Sequence, residues 1–183
     1  MTLRDGKTGE VQDQRHIKNL VVWDASILIA RLLKDNIEAP HGAFCLAVGT
    51  GDSGWNLQSP PAPTKTQRAL YNEIGRKRFE TTTFINAAGL PVAYPTNVVD
   101  YTTVFSESEC VAPLCEMGIL GGTISANMNI RSPVVYPYGP NSDRPYDESH
   151  NLSTWETEAN YLTFSVVNKP ATSTLAITWR LTT

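Results

Sequence analysis

The final stretch of the chain, STLAITWRLTT, sets the tightest limit on what this protein can fold into. Its apolar positions Leu175, Ile177, Trp179 and Leu181 alternate with smaller or polar residues. Successive side chains of a strand point to opposite faces, so this period of two predicts a strand with one buried and one wet face. On the buried face Trp179 is expected to be a core residue, because large aromatic side chains contribute most to a core when they are fully packed.

The same period of two runs through most of the second half of the chain, which predicts five or more strands without intervening helices. The connection NKPATS before the last strand is short enough for a hairpin. The other predicted strands are KRFETTTFIN, VVDYTTVFSESE, MGILGGT, TISANMNIRSPVVYP and YLTFSVV.

Two helices are predicted in the first half. The stretch LVVWDASILIARLLKDN has an apolar stripe at helical spacing, with Asp24 as its N-cap. The stretch TKTQRALYNEIG pairs Leu70 with Ile74 four residues later and ends at Gly75, which predicts a second short helix. The residues of the first stripe are Ala25, Leu28, Ile29, Leu32 and Leu33.

Early helices followed by many strands favour a mainly β (α+β) fold. We expect an antiparallel β-sandwich with an N-terminal helix and a second short helix packed at one end. At 183 residues the chain is long enough for one domain with a substantial core. The prediction is a flexible N-terminal arm over 1–18 and a single domain over 19–183, with a long loop at 136–160.

Composition argues against several classes of protein. The formal net charge of −3 provides no electrostatic surface for nucleic acid, and no apolar run is long enough for a membrane helix. The polar first residues do not resemble a signal peptide, so synthesis in the cytoplasm is expected. Cys45, Cys110 and Cys115 have no zinc-ligand spacing and are expected to be reduced and mostly buried.

The run GDSG around Ser53 is found at the nucleophile of chymotrypsin-like proteases. A serine nucleophile needs a positioned base and an orienting acid, and His16, His41 and His150 have none of the expected neighbours. We therefore interpret GDSG as a glycine-containing turn that follows the short strand 44–48. No catalytic residue, cofactor or metal is predicted.

Acidic residues of the long loop could in principle collect a calcium ion. They lack an ordered Asp-x-Asp pattern, so the prediction is a solvated acidic loop. These residues are Asp143, Asp147, Glu148, Glu156 and Glu158. Elsewhere, Glu73 and Arg76 are expected to form an exposed pair at a helix end, and Glu116 is expected at the surface of a turn.

Five short motifs occur in a fixed order: AVGTG at 47–51, LYNEIGR at 70–76, EMGILGG at 116–122, NIRSPVVYP at 129–137 and TLAITWRLT at 174–182. As a set they resemble a family of tailed-phage virion proteins found as tail-fibre or baseplate-associated components. The resemblance covers about residues 20–135 and 160–183, and the long loop departs from the family pattern. It implies a structural role and carries over no catalytic residue.

The function expected from the resemblance is a virion structural protein of the tail, a tail-fibre or baseplate attachment module. Its partners would be other phage tail or baseplate proteins, and a homo-oligomer is expected. The alternative is a glycan-binding module that recognises a host glycan with the loop 136–160. The candidate interface residues in that loop are Tyr136, Tyr138, Tyr146 and Trp155.

Overall fold

A computed structural model describes residues 1–26, 29–30, 41–122 and 156–182. Within these residues the chain is mainly β, as predicted, and forms eleven strands in two antiparallel sheets. In chain order they are β1 Thr2–Asp5, β2 Val11–Gln14, β3 Leu20–Val21, β4 His41–Gly49, β5 Glu73–Arg78, β6 Thr81–Ile85, β7 Pro91–Val92, β8 Val98–Phe105, β9 Ala112–Gly122, β10 Glu156–Lys169 and β11 Ser173–Thr182.

The two sheets correspond to two compact units of the chain. The first unit comprises Met1–His16, Arg78–Val111 and Lys169–Thr183, and its six-stranded sheet has the order β2-β1-β11-β8-β6-β7. The second comprises Ile17–Lys77 and Ala112–Asn168, and its five-stranded sheet has the order β3-β10-β9-β4-β5. The predicted sandwich packing and the predicted single domain stay predictions.

Strand β11 lies in the middle of the six-stranded sheet and has the predicted register. It pairs with β8 over eight residues, and Leu175, Ile177 and Trp179 are buried at 1%, 2% and 4% exposure. Thr178 and Arg180 lie on the exposed face, which confirms the alternation. Leu181 is only half-buried, near the end of the strand.

The segment predicted as a flexible arm carries two strands instead. Residues 2–5 pair with β11 on one side and with β2 on the other, and Leu3 is buried. The turn between β1 and β2 is fixed by the Asp5 carboxylate, which accepts hydrogen bonds from two backbone N–H groups, and by Gly9 at φ 73°. The polar composition of residues 1–18 did not predict this hairpin, because the hairpin is held by its ladder with β11 and has little apolar surface of its own.

The five-stranded sheet has a core on both faces of its central strands. Cys45, Leu46, Ala47 and Val48 of β4 are all fully buried, and so is most of β9. A strand buried on both faces has a continuous apolar sequence, which explains the run CLAV at 45–48. One cluster of this core joins β4 to neighbouring elements: Val22, Cys45, Ala47, Leu70, Leu120 and Tyr161.

The second predicted helix is wrong. Its residues lie in an irregular segment that leads into β5, where Gly75 is buried in the strand and does not end a helix. The backbone N–H groups of Tyr71 and Asn72 donate to the side chain of Glu116, a tertiary contact that replaces the bonds a helix would make.

The predicted N-terminal helix is described only in part. Residues 24–26 and 29–30 have helical backbone, and most of the predicted stripe lies outside the described residues. Ala25 is buried, as the stripe predicts, whereas Ile29 is 53% exposed, so the stripe is wrong at that position.

Two predictions about the end of the chain also change. The predicted loop 136–160 extends too far, because β10 begins at Glu156. The segment NKPATS does not close a hairpin, because β10 and β11 belong to different sheets.

Candidate functional site

The sequence-predicted interface residues Tyr136, Tyr138, Tyr146 and Trp155 lie outside the described residues, and so does the base candidate His150. Ser53 lies in an exposed turn in which the Trp55 N–H donates to the Asp52 carbonyl at 3.0 Å. The Asp52 side chain accepts a second hydrogen bond, from the Gly54 N–H at 2.8 Å. The turn interpretation of GDSG is confirmed.

Glu116 of β9 carries a buried carboxylate in the second unit. Its Oε1 accepts from the backbone N–H groups of Gly51 at 3.0 Å and Asn72 at 2.8 Å. Its Oε2 accepts from the Tyr71 N–H at 2.9 Å and from the Tyr161 hydroxyl at 2.6 Å. Four donors therefore surround one carboxylate that has no exposure to solvent.

These contacts bring together three of the motifs seen in the sequence. Gly51 ends AVGTG, Tyr71 belongs to LYNEIGR, and Glu116 begins EMGILGG. Glu116 was predicted at the surface of a turn, and that prediction is wrong. Its carboxylate satisfies backbone donors of a segment that forms no strand or helix of its own, which is why a charged residue is retained in the interior.

Glycine at two positions provides the room for the buried carboxyl groups. A Cβ atom at Gly49 would lie 2.5 Å from Glu116 Oε1 and 2.6 Å from the carbonyl oxygen of Asn72. A Cβ atom at Gly118 would overlap Glu158 Oε1 and lie 3.0 Å from the carbonyl oxygen of Asn160. Gly49 of AVGTG and Gly118 of EMGILGG are therefore required by close packing against carboxyl groups and backbone.

Glu73 and Arg76, both on β5, form a second buried element. Arg76 Nε lies 2.5 Å from Glu73 Oε1, and Arg76 Nη2 lies 2.6 Å from Glu73 Oε2, so the pair is bidentate. Their side chains are 6% and 0% exposed, whereas the sequence predicted an exposed pair at a helix end. Removing one partner of such a pair would leave an uncompensated charge in the interior.

Glu158 of β10 is the least compensated acid of the unit. It was predicted in a solvated loop, but it is fully buried, and within the described part of the chain neither carboxyl oxygen has a hydrogen-bond partner. Burial raises its pKa well above the ordinary value, and the negative charge of Glu116 raises it further. Burial therefore favours the protonated, neutral form of Glu158 in the folded chain.

Other groups complete this polar network. Burial raises the pKa of Asp24, and Arg68 at 3.8 Å partly opposes that effect. Burial is the largest cause that raises the pKa of Tyr161, and the charge of Glu116 is the next. The Tyr161 hydroxyl therefore keeps the proton that it donates to Glu116. We call the set Asp24, Glu73, Arg76, Glu116, Glu158 and Tyr161 the carboxylate network.

The acids of the carboxylate network can carry protons, and Glu116 fixes the backbone at Gly51, Tyr71 and Asn72. The network is not arranged as a metal centre. Among the described residues no group of three or more His, Cys, Asp or Glu side chains could hold a metal ion. The three cysteines are buried, as predicted. In the same ranges no helix is long and apolar enough to cross a membrane.

Sequence reasoning missed the carboxylate network because its charged members were expected elsewhere. Glu73, Arg76, Glu116 and Glu158 were expected to be exposed or solvated, and Asp24 was expected as a helix N-cap. One signal was present in the sequence. The motifs AVGTG and EMGILGG both contain glycine, which leaves room for a buried carboxyl group to approach the backbone.

No protein-family model and no curated protein matches this chain.

The protonation of Glu158 makes the stability of the protein depend on pH. The pKa of Glu158 is raised in the folded chain, so its contribution is fully present below the unfolded pKa, which is near 4.5, and is lost as pH rises toward the folded pKa. The free energy of unfolding should therefore fall as pH rises above about 4.5. Glu158→Gln, which stays neutral, should flatten that fall in urea titrations.

Four charged groups face Glu158, namely Glu116, Glu73, Asp24 and Arg76. The raised pKa of Asp24 also makes the free energy of unfolding fall as pH rises. Comparing Asp24→Asn with Glu158→Gln therefore separates the contributions of the two acids. Glu80→Gln, at an exposed position, should leave the pH dependence as in the parent chain. Equal slopes for the parent and Glu158→Gln would show that Glu158 is already ionised.

The space at Gly118 gives a second test. Gly118→Ala must displace the Glu158 carboxyl, and we expect a loss of about 1–3 kcal/mol in the free energy of unfolding, as for overpacked cores. In the background of Glu158→Ala the same substitution should cost less, since the carboxyl is absent. Additive costs in this double-mutant cycle would mean that the two positions do not compete for space. Gly54→Ala, in the exposed turn, is the matched control.

Proposed function

We propose that this protein is a structural subunit of a tailed-phage virion, a tail-fibre or baseplate attachment module that acts by association with other virion proteins. The observation that carries the proposal is the meeting of AVGTG, LYNEIGR and EMGILGG at the carboxylate of Glu116. Motifs that were recognised separately thus form one framework, which supports a likeness of fold to the family in which those motifs occur in this order.

The chemistry of the carboxylate network also favours association over turnover. The four acceptor positions of Glu116 are filled by donors of the chain, and Glu116 and Glu158 have no exposure through which a substrate could reach them. Saturated, enclosed groups of this kind fix backbone geometry and specify a unique core. A reaction site needs a group that can meet substrate.

A surface for association lies at the edge of the five-stranded sheet, beside β3. Val21 and Trp23 are 52% and 56% exposed, and Ile17 is 40% exposed. Exposed apolar side chains grouped at a sheet edge favour pairing with another chain, and exposed tryptophan is characteristic of interface hot spots. We call Ile17, Val21 and Trp23 the β3 patch and propose that another virion subunit covers it.

The test is the association state of the purified chain, alone and mixed with tail-fibre and baseplate proteins of a tailed phage. Light scattering should detect a defined oligomer or complex, and Trp23→Lys should weaken it at least tenfold. Val111→Lys is the control, because Val111 is 47% exposed in the other unit. Both positions are exposed, so neither substitution is expected to alter folding.

The proposal is overturned if the chain stays monomeric in every mixture. Specific binding on a glycan array by a chain that does not associate would instead identify a receptor-recognition module. Equal weakening by Trp23→Lys and Val111→Lys would show that the β3 patch is not the surface of contact.

A further inference from the structure

The turn between β6 and β7 and the residues after it carry the most exposed large apolar side chains of the described ranges. Leu90 is 59% exposed and Tyr94 is 60% exposed. A Cβ atom at Gly89 would meet nothing within 4 Å, so the chain is open to solvent at this turn. We call residues 87–95 the hairpin tip. Its smaller residues are exposed as well: Ala87, Ala88, Gly89, Pro91, Ala93 and Pro95.

The hairpin tip lies in a long stretch without charge, since residues 81–99 contain no charged side chain. Asp100 lies opposite Thr83 in the β6–β8 ladder and is paired with Arg180 through two bonds of 2.7 Å. Three strand residues separate Thr83 from Asn86, where the turn begins, so this ion pair lies roughly 10 Å from the turn. The tip itself therefore presents an apolar and uncharged surface.

The backbone of the turn satisfies its own hydrogen bonds. The Asn86 side chain accepts from the N–H groups of Ala88 at 2.9 Å and Leu90 at 3.0 Å. The Asn86 carbonyl accepts from the Gly89 N–H, and the Asn86 N–H donates to the Leu90 carbonyl, both at 2.9 Å. Gly89 adopts the φ of 78° that this turn requires, and Pro91 has no N–H group. From Ala88 to Pro91, no backbone N–H group therefore needs water.

These two properties favour a lipid surface over a protein as the partner of the hairpin tip. A backbone that enters lipid must satisfy its polar groups internally, because lipid chains supply no hydrogen-bond partner. A protein interface instead has a polar rim and direct hydrogen bonds around its apolar centre. The β3 patch has that character, since the exposed residues His16 and Lys18 flank Ile17. The hairpin tip has no charged neighbour of this kind in the sequence.

We propose that the hairpin tip docks on the surface of a lipid bilayer, with Leu90 among the acyl chains and Tyr94 at the level of the headgroups. Tyrosine suits that level because its ring is apolar and its hydroxyl is polar. The contact is apolar, so a zwitterionic lipid such as phosphatidylcholine is sufficient. One small tip binds weakly, and several copies on one particle bind more tightly through avidity. Lipid contact is separate from the proposed association with virion proteins.

The experiment is flotation of the full chain with phosphatidylcholine vesicles at millimolar lipid. The parent chain should float with the vesicles. Leu90→Asp and Tyr94→Asp should each lower the partition coefficient at least tenfold, because a carboxylate is costly to bury in lipid. Val111→Asp is the matched control, since Val111 is 47% exposed in the same unit, and it should bind as the parent does. All three positions are exposed, so none of these substitutions is expected to alter folding.

A tryptophan placed in the tip measures insertion directly. In Leu90→Trp, the fluorescence added to that of the parent should shift to shorter wavelength with vesicles and should be quenched by brominated acyl chains. Val111→Trp should show neither effect. Raising the salt concentration should leave the binding unchanged, because no charged group takes part in it.

The proposal is overturned if the parent chain does not float with the vesicles, if Leu90→Asp and Val111→Asp bind alike, or if binding requires anionic lipid. Association with a virion protein that Leu90→Asp abolishes, by a chain that binds no vesicle, would identify the tip as a protein contact instead. Association that depends on Trp23, without vesicle binding, removes only the lipid contact. Vesicle binding by a chain that associates with no virion protein removes only the proposed function.

Discussion

Glu116→Ala is expected to lower the free energy of unfolding by about 3–5 kcal/mol, the range for breaking a buried, hydrogen-bonded charged group. The substitution removes the acceptor of three backbone N–H groups and one hydroxyl at once. Glu116→Gln should also destabilise. In either orientation of the amide, its NH₂ group would face a backbone N–H that now donates to the carboxylate.

Urea titrations should give a graded series. Tyr161→Phe removes only one of the four donors and should cost about 1 kcal/mol. Glu80→Gln, at an exposed site, should not move the midpoint. Native-state hydrogen exchange adds a local measurement: the amides of Gly51, Tyr71 and Asn72 should lose protection in Glu116→Ala before the rest of the unit does.

A Glu116→Ala chain as stable as Tyr161→Phe would contradict this account, because the backbone donors would then have found other acceptors. Unchanged protection at Gly51 and Asn72 would lead to the same conclusion.

Trp179→Ala is expected to cost about 3–5 kcal/mol, the usual range for deleting a large aromatic side chain from a core. Trp179 is 4% exposed and lies opposite Tyr101 in the β11–β8 ladder. Its indole N–H has no hydrogen-bond partner among the described residues, so the cost comes from lost packing and the cavity that remains.

Thr178→Ala is the matched control, one residue away on the exposed face of the same strand, and should cost far less. Thermal and urea unfolding of both variants give the comparison. The reverse ranking would mean that β11 presents its other face to the core, which a one-residue shift of register would produce.

The sequence was most informative where the side-chain pattern and the environment agree. In β11 the alternation determines the buried face, and the ladder with β8 has the corresponding register. In the segment 64–75 the local pattern predicts a helix, but Tyr71 and Asn72 donate to a carboxylate that lies more than forty residues away in the sequence. A contact of that kind has no local signature, so it could not be predicted.

The carboxylate network escaped prediction for the same reason. A buried acid is rare, and Glu116, between Cys115 and Met117, shares no local pattern with Glu158, between Thr157 and Ala159. Their burial depends on Gly49, Gly118 and the donors of distant segments, which only the folded chain brings together. The candidate interface of the long loop stays a prediction.

The place of β11 between β1 and β8 has a consequence for biosynthesis. The strand that joins the two halves of the six-stranded sheet is far from its partner β1 in the sequence, since Thr2 pairs with Ala176. All residues between β1 and β11 must therefore be synthesised before that sheet can close, and contacts so distant in sequence form slowly. Without β11, the edges of β1 and β8 that pair with it would be exposed, and exposed strand edges favour association with other chains.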